Sequence, residues 1–386
     1  MNILKRLFIF CASLTLLLPK ADFYAYGEDL PELTEAKSAI LTEKETGKVL
    51  YEKNADEKRP IASVTKIMTL IIISEEIKNG NLSFSDTAVC SDYAGSMDGS
   101  VIWLEPGETM EVGELIKSVV IASANDACVM LAEHVSGSET EFVNRMNKKA
   151  KELGMTSTNF KNCVGYDDPD HYSTARDISK MAAELRKYNY YDEYLLTRLD
   201  SVRTGTKTET QLLNTNKLIT SYSGITGLKT GTTDNAGCCF CMTAKKSGME
   251  LIGVVLGCGT DEGRFNDSAA LLDYGFENFE RVVLRPDTAE LKEVKVDGGT
   301  KKTVDTRFSG ITDVILLKGT YSEIEYHYSR TENISAPIEK GTVLGFVTMM
   351  SGDDVVGTAK IVAAETVEEL SFKRCMEEIL KKLFVF

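Results

Sequence analysis

The segment Pro60-Ile61-Ala62-Ser63-Val64-Thr65-Lys66-Ile67-Met68-Thr69 constrains this chain more than any other. It opens an apolar run, Ile67 to Ile77, that reads as a long helix. Ser63 and Lys66 stand three residues apart at its start, a spacing that puts both on one helix face, hydroxyl beside amine. Burial would lower the lysine pKa, because it disfavours the charged form. A neutral amine next to a hydroxyl can take its proton and leave a nucleophile. Ser and Lys are common, however, and the pair alone is equally a capped helix with a solvated lysine.

The chain around this segment is long enough for two domains and a sizeable core. Lys5 and Arg6 precede the apolar run Leu7 to Leu18, and a short polar stretch ends near Ala25. Residues 1–25 therefore read as a secretory signal peptide, and the run is short for a membrane span. The formal charge is −14 over the whole chain, and loss of residues 1–25 leaves about −16. So acidic a surface argues against nucleic acid as a partner.

The chain has nine cysteines, but those beyond Cys11 fall mostly inside apolar runs. Cys128 belongs to a helix pattern, and Cys238, Cys239, Cys241 and Cys258 belong to strand patterns. Buried thiols are expected there, with no disulfide framework. The three histidines stand away from any cysteine pair, so no zinc site is expected. Asp167, Asp168 and Asp170 are interrupted by Pro169 and read as a solvated turn, with no calcium loop. No cofactor is called for.

Ser38 to Thr42 and Lys48 to Lys53 flank Glu45-Thr46-Gly47 as a strand hairpin. Helices are expected at Val112 to about Ala122, through Cys128 to Val135, from Phe142 to Leu153, and from Ser173-Thr174 to about Tyr188. Strands follow at Gly227 to Thr232, Ala236 to Ala244 and Met249 to Cys258, then a closing helix from Arg264 to Phe279. Residues 30–283 thus form an α+β domain in which an antiparallel sheet is covered by helices. Short β-rich runs between Pro286 and residue 365 predict a small all-β domain. Residues 366–386 show a basic amphipathic helix pattern (Phe372, Met376, Ile379, Leu383) that can lie in a membrane interface or pack on its own β domain.

Two further pieces join the opening tetrad. Ser123-Ala124-Asn125 sits in a break between helices, and Lys229-Thr230-Gly231 lies on a strand, where Gly231 lets a substrate backbone approach closely. S-x-x-K, then S-x-N, then K-T-G is the order found in penicillin-binding proteins and class A β-lactamases. Three pieces in order within one domain are rare by chance.

The chain resembles the low-molecular-weight penicillin-binding proteins that act as D-alanyl-D-alanine carboxypeptidases, serine peptidase family S11. Thr46 to Tyr51, Leu104 to Glu108, Asn125-Asp126-Ala127, Leu153-Gly154-Met155, Asn214 to Leu218, Gly227 to Gly231 and Asp273 to Phe276 carry the likeness across most of residues 36–280. The resemblance implies that Ser63 attacks the carbonyl between the terminal D-alanines of a peptidoglycan stem peptide, with Lys66 as base. It implies an oxyanion hole from the backbone N–H groups of Ser63 and Thr232. Ser123 would relay a proton to the leaving amine, and Asn125 would orient Lys66 and the substrate amide. Lys229 would add positive field beside the free terminal carboxylate, near which Arg264 is either a clamp or a structural ion pair, and Thr230, Gly231 and Thr232 would also bind the substrate. β-Lactams would be covalent inhibitors, and the place of work would be outside the cytoplasmic membrane, at its outer face or in the wall. Two departures are Ala124, where many relatives carry Gly, and Thr232, where a bulkier residue is common.

A class A β-lactamase, a transpeptidase and a catalytically silent wall-binding protein are the rivals. The first needs an E-x-x-L-N element whose Glu activates the deacylating water. Glu209-Thr210-Gln211-Leu212-Leu213-Asn214 is one residue too long for it. The second differs only in capturing the acyl-enzyme with an amine in place of water, and the third is opposed by the intact Ser63, Lys66, Ser123, Asn125 and Lys229.

Overall fold

The computed structural model describes residues 30–310, 313–372 and Met376. The expected signal peptide and most of the expected terminal helix lie outside the described residues. The apolar helix of the opening segment is α1 (Lys66–Lys78), and Ile67, Met68 and Leu70 to Ile73 are at most 2% exposed on every side of it. Burial all round explains why the run shows no polar stripe. It is packed among α2 (Val112–Ile121), α3 (Asn125–Ser136), α4 (Glu139–Glu152) and α5 (Ala175–Leu185). Thr174 caps α5 by accepting the Asp177 N–H, as the Ser-Thr pair suggested.

These helices cover one face of a five-stranded antiparallel sheet. Its strands are β1 (Ser38–Glu43), β2 (Val49–Lys53), β5 (Ile225–Thr233), β6 (Gly237–Lys246) and β7 (Met249–Cys258), in the spatial order β2-β1-β7-β6-β5. Alternation along β6 sends Cys239 and Cys241 into the helical core and Cys238, Phe240, Met242 and Ala244 to the opposite face. That face is covered by α6 (Asp261–Asn278). The cysteines from Cys90 to Cys258 are buried free thiols. Strand β5 forms one edge of the sheet, so one row of its backbone groups has no strand neighbour. Between α5 and β5 the chain makes a small hairpin, β3 (Leu199–Val202) with β4 (Thr210–Leu213), which the sequence pattern did not reveal.

Three boundaries differ from expectation. Helix α6 starts at Asp261, capped by the Thr260 hydroxyl, so Arg264 lies within its first turn. It ends at Asn278, and Phe279–Val282 is a strand that pairs with Val314–Leu317, tying the end of the first domain into the second. Residues 366–370 are extended, with Val367 bridged to Ile338 and fully buried, because the small β domain needs that side chain in its core. The β domain otherwise follows the expected runs, with Ile324–Arg330, Val343–Ser351 and Asp354–Ala363 as its long strands.

Candidate active site

The site lies where α1, the break between α2 and α3, and the edge strand β5 meet. Ser63 is on a 3-10 turn, Ala62–Thr65, that runs directly into α1. A 3-10 turn eclipses residues three apart, and Lys66 Nζ lies 2.9 Å from Ser63 Oγ. The amine is also 2.7 Å from Asn125 Oδ1 and 2.9 Å from the Val164 carbonyl oxygen. Lys66 has no exposed surface, and burial pushes its pKa down to about 8. Three acceptors satisfy a protonated amine in full. A neutral amine can donate to Asn125 and Val164 while accepting the Ser63 proton, so both protonation states keep their hydrogen bonds.

Two glycines hold the serine from either side. A Cβ at Gly231 would fall 2.7 Å from the Ser63 nitrogen, and one at Gly165 would fall 1.9 Å from the Ala62 oxygen. The Ala62–Ser63 peptide is therefore clamped between β5 and the turn Asn162 to Tyr166. That turn is built by Asn162, whose Oδ1 accepts the N–H groups of Gly165 and Tyr166. Its Val164 carbonyl is one of the acceptors of Lys66. Asn162, Val164 and Gly165 escaped the sequence reading. The available signal was an Asn three residues before a Gly, a turn pattern, next to aspartates read only as a solvated loop.

Ser123, buried, follows α2 with φ of +63°, a left-handed turn that breaks the helix. Asn125 opens α3, and its Nδ2 donates to the Asp98 carbonyl at 2.8 Å. The amide is thus oriented by the 98–104 segment, with Oδ1 left for Lys66. Thr65, between Ser63 and Lys66, is fixed by His171. The His171 Nδ1 accepts the Lys161 N–H, which leaves Nε2–H to donate to Thr65 Oγ1 at 2.8 Å. Burial drives the His171 pKa down to about 4, so the ring is neutral and positions this turn.

On β5, Lys229 is buried and its Nζ donates to the Thr230 carbonyl at 3.0 Å. Burial, then the nearby Lys66 and Arg264, push its pKa well down. The positive charge expected of Lys229 is disfavoured until an anion arrives beside it. Thr230 Oγ1 donates to Thr215 at 2.7 Å, so the Asn214 to Leu218 stretch borders the site. Arg264 reaches the back of β5. Its Nη1 donates to the Gly231 carbonyl and to Thr232 Oγ1, both at 3.0 Å, and its Nη2 pairs with Asp261. Both alternatives for Arg264 keep a basis, since it makes the structural ion pair and yet sits behind the strand that carries Thr232. The structure thus brings Ser63, Lys66 and Asn125 into direct contact and groups Lys229, Thr230, Gly231 and Thr232 along one strand, with Arg264 of α6 behind it. Glu209 is exposed and accepts the Gly205 N–H in the β3–β4 turn.

This fold and this serine–lysine geometry define an active-serine acyl-transfer site. Residues 27–260 match the family model described as D-alanyl-D-alanine carboxypeptidase, and residues 279–369 match the penicillin-binding protein 5 C-terminal domain. The chain is 41% identical over 348 residues to D-alanyl-D-alanine carboxypeptidase DacF of Bacillus subtilis, covering 90% of each protein. It is 34% identical to DacC of Escherichia coli, covering 96% of this chain and 94% of that one. Penicillin-binding protein 5 of Haemophilus influenzae superimposes with a TM-score of 0.79 at 31% identity, over 89% of this chain and all of the other. The chain belongs to the D-alanyl-D-alanine carboxypeptidase family, peptidase S11.

Proposed function

We propose that the protein is a serine-type D-Ala-D-Ala carboxypeptidase that removes the terminal D-alanine from peptidoglycan pentapeptide stems. The observation that carries this reading is the wholly buried Lys66 amine, 2.9 Å from Ser63 Oγ and held by Asn125 and Val164. Lys66 takes the Ser63 proton as Oγ attacks the penultimate D-alanine carbonyl. The oxyanion sits between the N–H groups of Ser63, which a helix start leaves without an internal acceptor, and Thr232 on the sheet edge. As the tetrahedral intermediate collapses, the peptide C–N bond breaks, and Ser123 passes a proton to the departing amine of D-alanine. Water then hydrolyses the ester on Ser63 and restores the hydroxyl. The incoming terminal carboxylate supplies the anion that Lys229 lacks, and Thr230, Thr232 and Arg264 assist it.

β-Lactams would acylate the same serine. The exposed place of Glu209 supports the peptidase reading over a class A lactamase, which needs a carboxylate at the acyl-enzyme. The basic amphipathic sequence after Phe372 and the N-terminal signal pattern support an exported protein held at a membrane surface. Purified protein incubated with a peptide ending in D-Ala-D-Ala should release free D-Ala. Ser63→Ala should cut the rate by at least about a thousandfold. Undiminished release by Ser63→Ala, or no release by the wild type, would reject the reading.

A further inference from the structure

Trp103 is the single tryptophan of the chain, and it is held away from the protein. It is 72% exposed, on a backbone with φ of +56°, a left-handed conformation that bulky side chains avoid. Its neighbours Ile102 and Leu104 are buried, and the N–H of each donates to the buried Asp126 carboxylate. Arg203, paired with Glu108, donates to the carbonyls of Ile102 at 2.9 Å and Trp103 at 3.4 Å. The backbone is pinned on both sides of the indole, and the ring faces solvent. Burial of residues 102 and 104 explains why position 103 is exposed. It does not explain why the largest apolar side chain stands at a left-handed position that Asn or Gly occupies at less cost.

The same segment rims the catalytic cleft. The Ser100 carbonyl accepts the Asn125 N–H at 2.6 Å, the Asp98 carbonyl accepts Asn125 Nδ2, and Asp126 follows Asn125 in the chain. The Leu104 nitrogen, which follows Trp103, is 3.1 Å from Asp126 Oδ2, so the Trp103 Cα lies within roughly 10 Å of the Asp126 backbone. Four stem residues separate the scissile carbonyl from the glycan strand, roughly 14 Å when extended. Lys66 Nζ joins Ser63 Oγ at 2.9 Å to Asn125 Oδ1 at 2.7 Å, and Trp103 stands beyond Asn125 on the rim, which leaves the carbohydrate end of the extended stem as the part of the substrate to meet it.

We propose that Trp103 is a stacking platform for an aminosugar ring of the glycan strand that carries the stem peptide. The inference rests on the D-Ala-D-Ala reading above. One face of a pyranose presents C–H groups that pack on an indole face, while its hydroxyls stay in water. An indole on a pinned backbone, with most of its surface in water, suits that partner.

The test compares a bare pentapeptide with the corresponding disaccharide-pentapeptide, following D-Ala release. In Trp103→Ala, the ratio of kcat/KM for the glycan-bearing substrate to that for the bare peptide should fall about fivefold through KM. Trp103→Phe should recover most of it. In a Ser63→Ala background, tryptophan emission reports on residue 103 alone, and it should shift to the blue with the disaccharide-pentapeptide and stay in place with the bare peptide. An unchanged ratio, or emission that responds equally to the bare peptide, overturns the proposal. Absence of D-Ala release from both substrates by the wild type overturns the carboxypeptidase reading instead, a distinct result.

Discussion

The two domains are held together by different means. Among the described residues, every buried charged side chain lies before residue 283, including Lys66, Asp126, Lys229, Arg264 and Asp267. The second domain is held by small apolar clusters such as Val294, Val304, Leu344 and Val367. Burying charge is costly, so its concentration in one domain marks where chemistry or anchoring demands it. The folded-state pKa of Lys66, about 8, lies below its ordinary 10.5. Below pH 8 the protonated amine therefore opposes folding, by about 3 kcal/mol, and this penalty is relieved as pH rises from 8 to 10.5. The second domain carries no such load.

Glycines offer the sharpest way to break that comparison. Gly165 and Gly341 have nearly the same φ, +95° and +93°, but only at Gly165 would an added Cβ meet atoms within 4 Å. Gly341→Ala should cost about 1 kcal/mol in denaturant unfolding and leave acylation by a labelled penicillin unaltered. Gly165→Ala should slow that acylation by about a hundredfold or more, because the Ala62–Ser63 peptide has to move. Equal effects of the two changes would mean that backbone strain, not the clamp on Ser63, is what Gly165 relieves.

The pH profile of acylation tests the charged domain on a smaller scale. As the proposed base, Lys66 has to lose its proton to act, so the second-order rate should rise about tenfold per unit below pH 8 and level above it. A profile flat from pH 6 to 10 would rule out Lys66 as the titrating base. In the apolar domain, Leu344→Ala removes a fully buried side chain. It should lower stability by about 2–5 kcal/mol, read by calorimetry, with no change in the acylation rate constant at 20 °C. A parallel loss of acylation would show that the second domain supports the site directly.

Much of the site was legible because its chemistry repeats as short local patterns. Ser63 and Lys66 need only one turn to meet, Ser123 and Asn125 only a break between helices, and Lys229 to Gly231 only a strand. The turn Asn162 to Gly165 was not legible. Its role is to offer a carbonyl to Lys66 and a vacant Cβ position to Ala62, and neither leaves a chemical mark on the residue type. The pinned Trp103 was passed over for a related reason, since Asp126 and Arg203 reach it from elsewhere in the chain. Strand Phe279–Val282 went unread, with Phe279 taken as the last helical residue, because its partner, Val314–Leu317, is remote in sequence.

By itself, the amino-acid order determined the apolar helix, the three motifs in their order, the α+β domain and the β domain after it. These follow from periodicity and from contacts within a turn or two. Only the tertiary structure decided that Lys66 is wholly buried with three acceptors, that Lys229 has no acidic partner among the described residues, that Arg264 is engaged behind β5, and that Glu209 stands in solvent. Burial and the company of remote groups set the free energy of a charge, and both exist only once the chain has closed on itself.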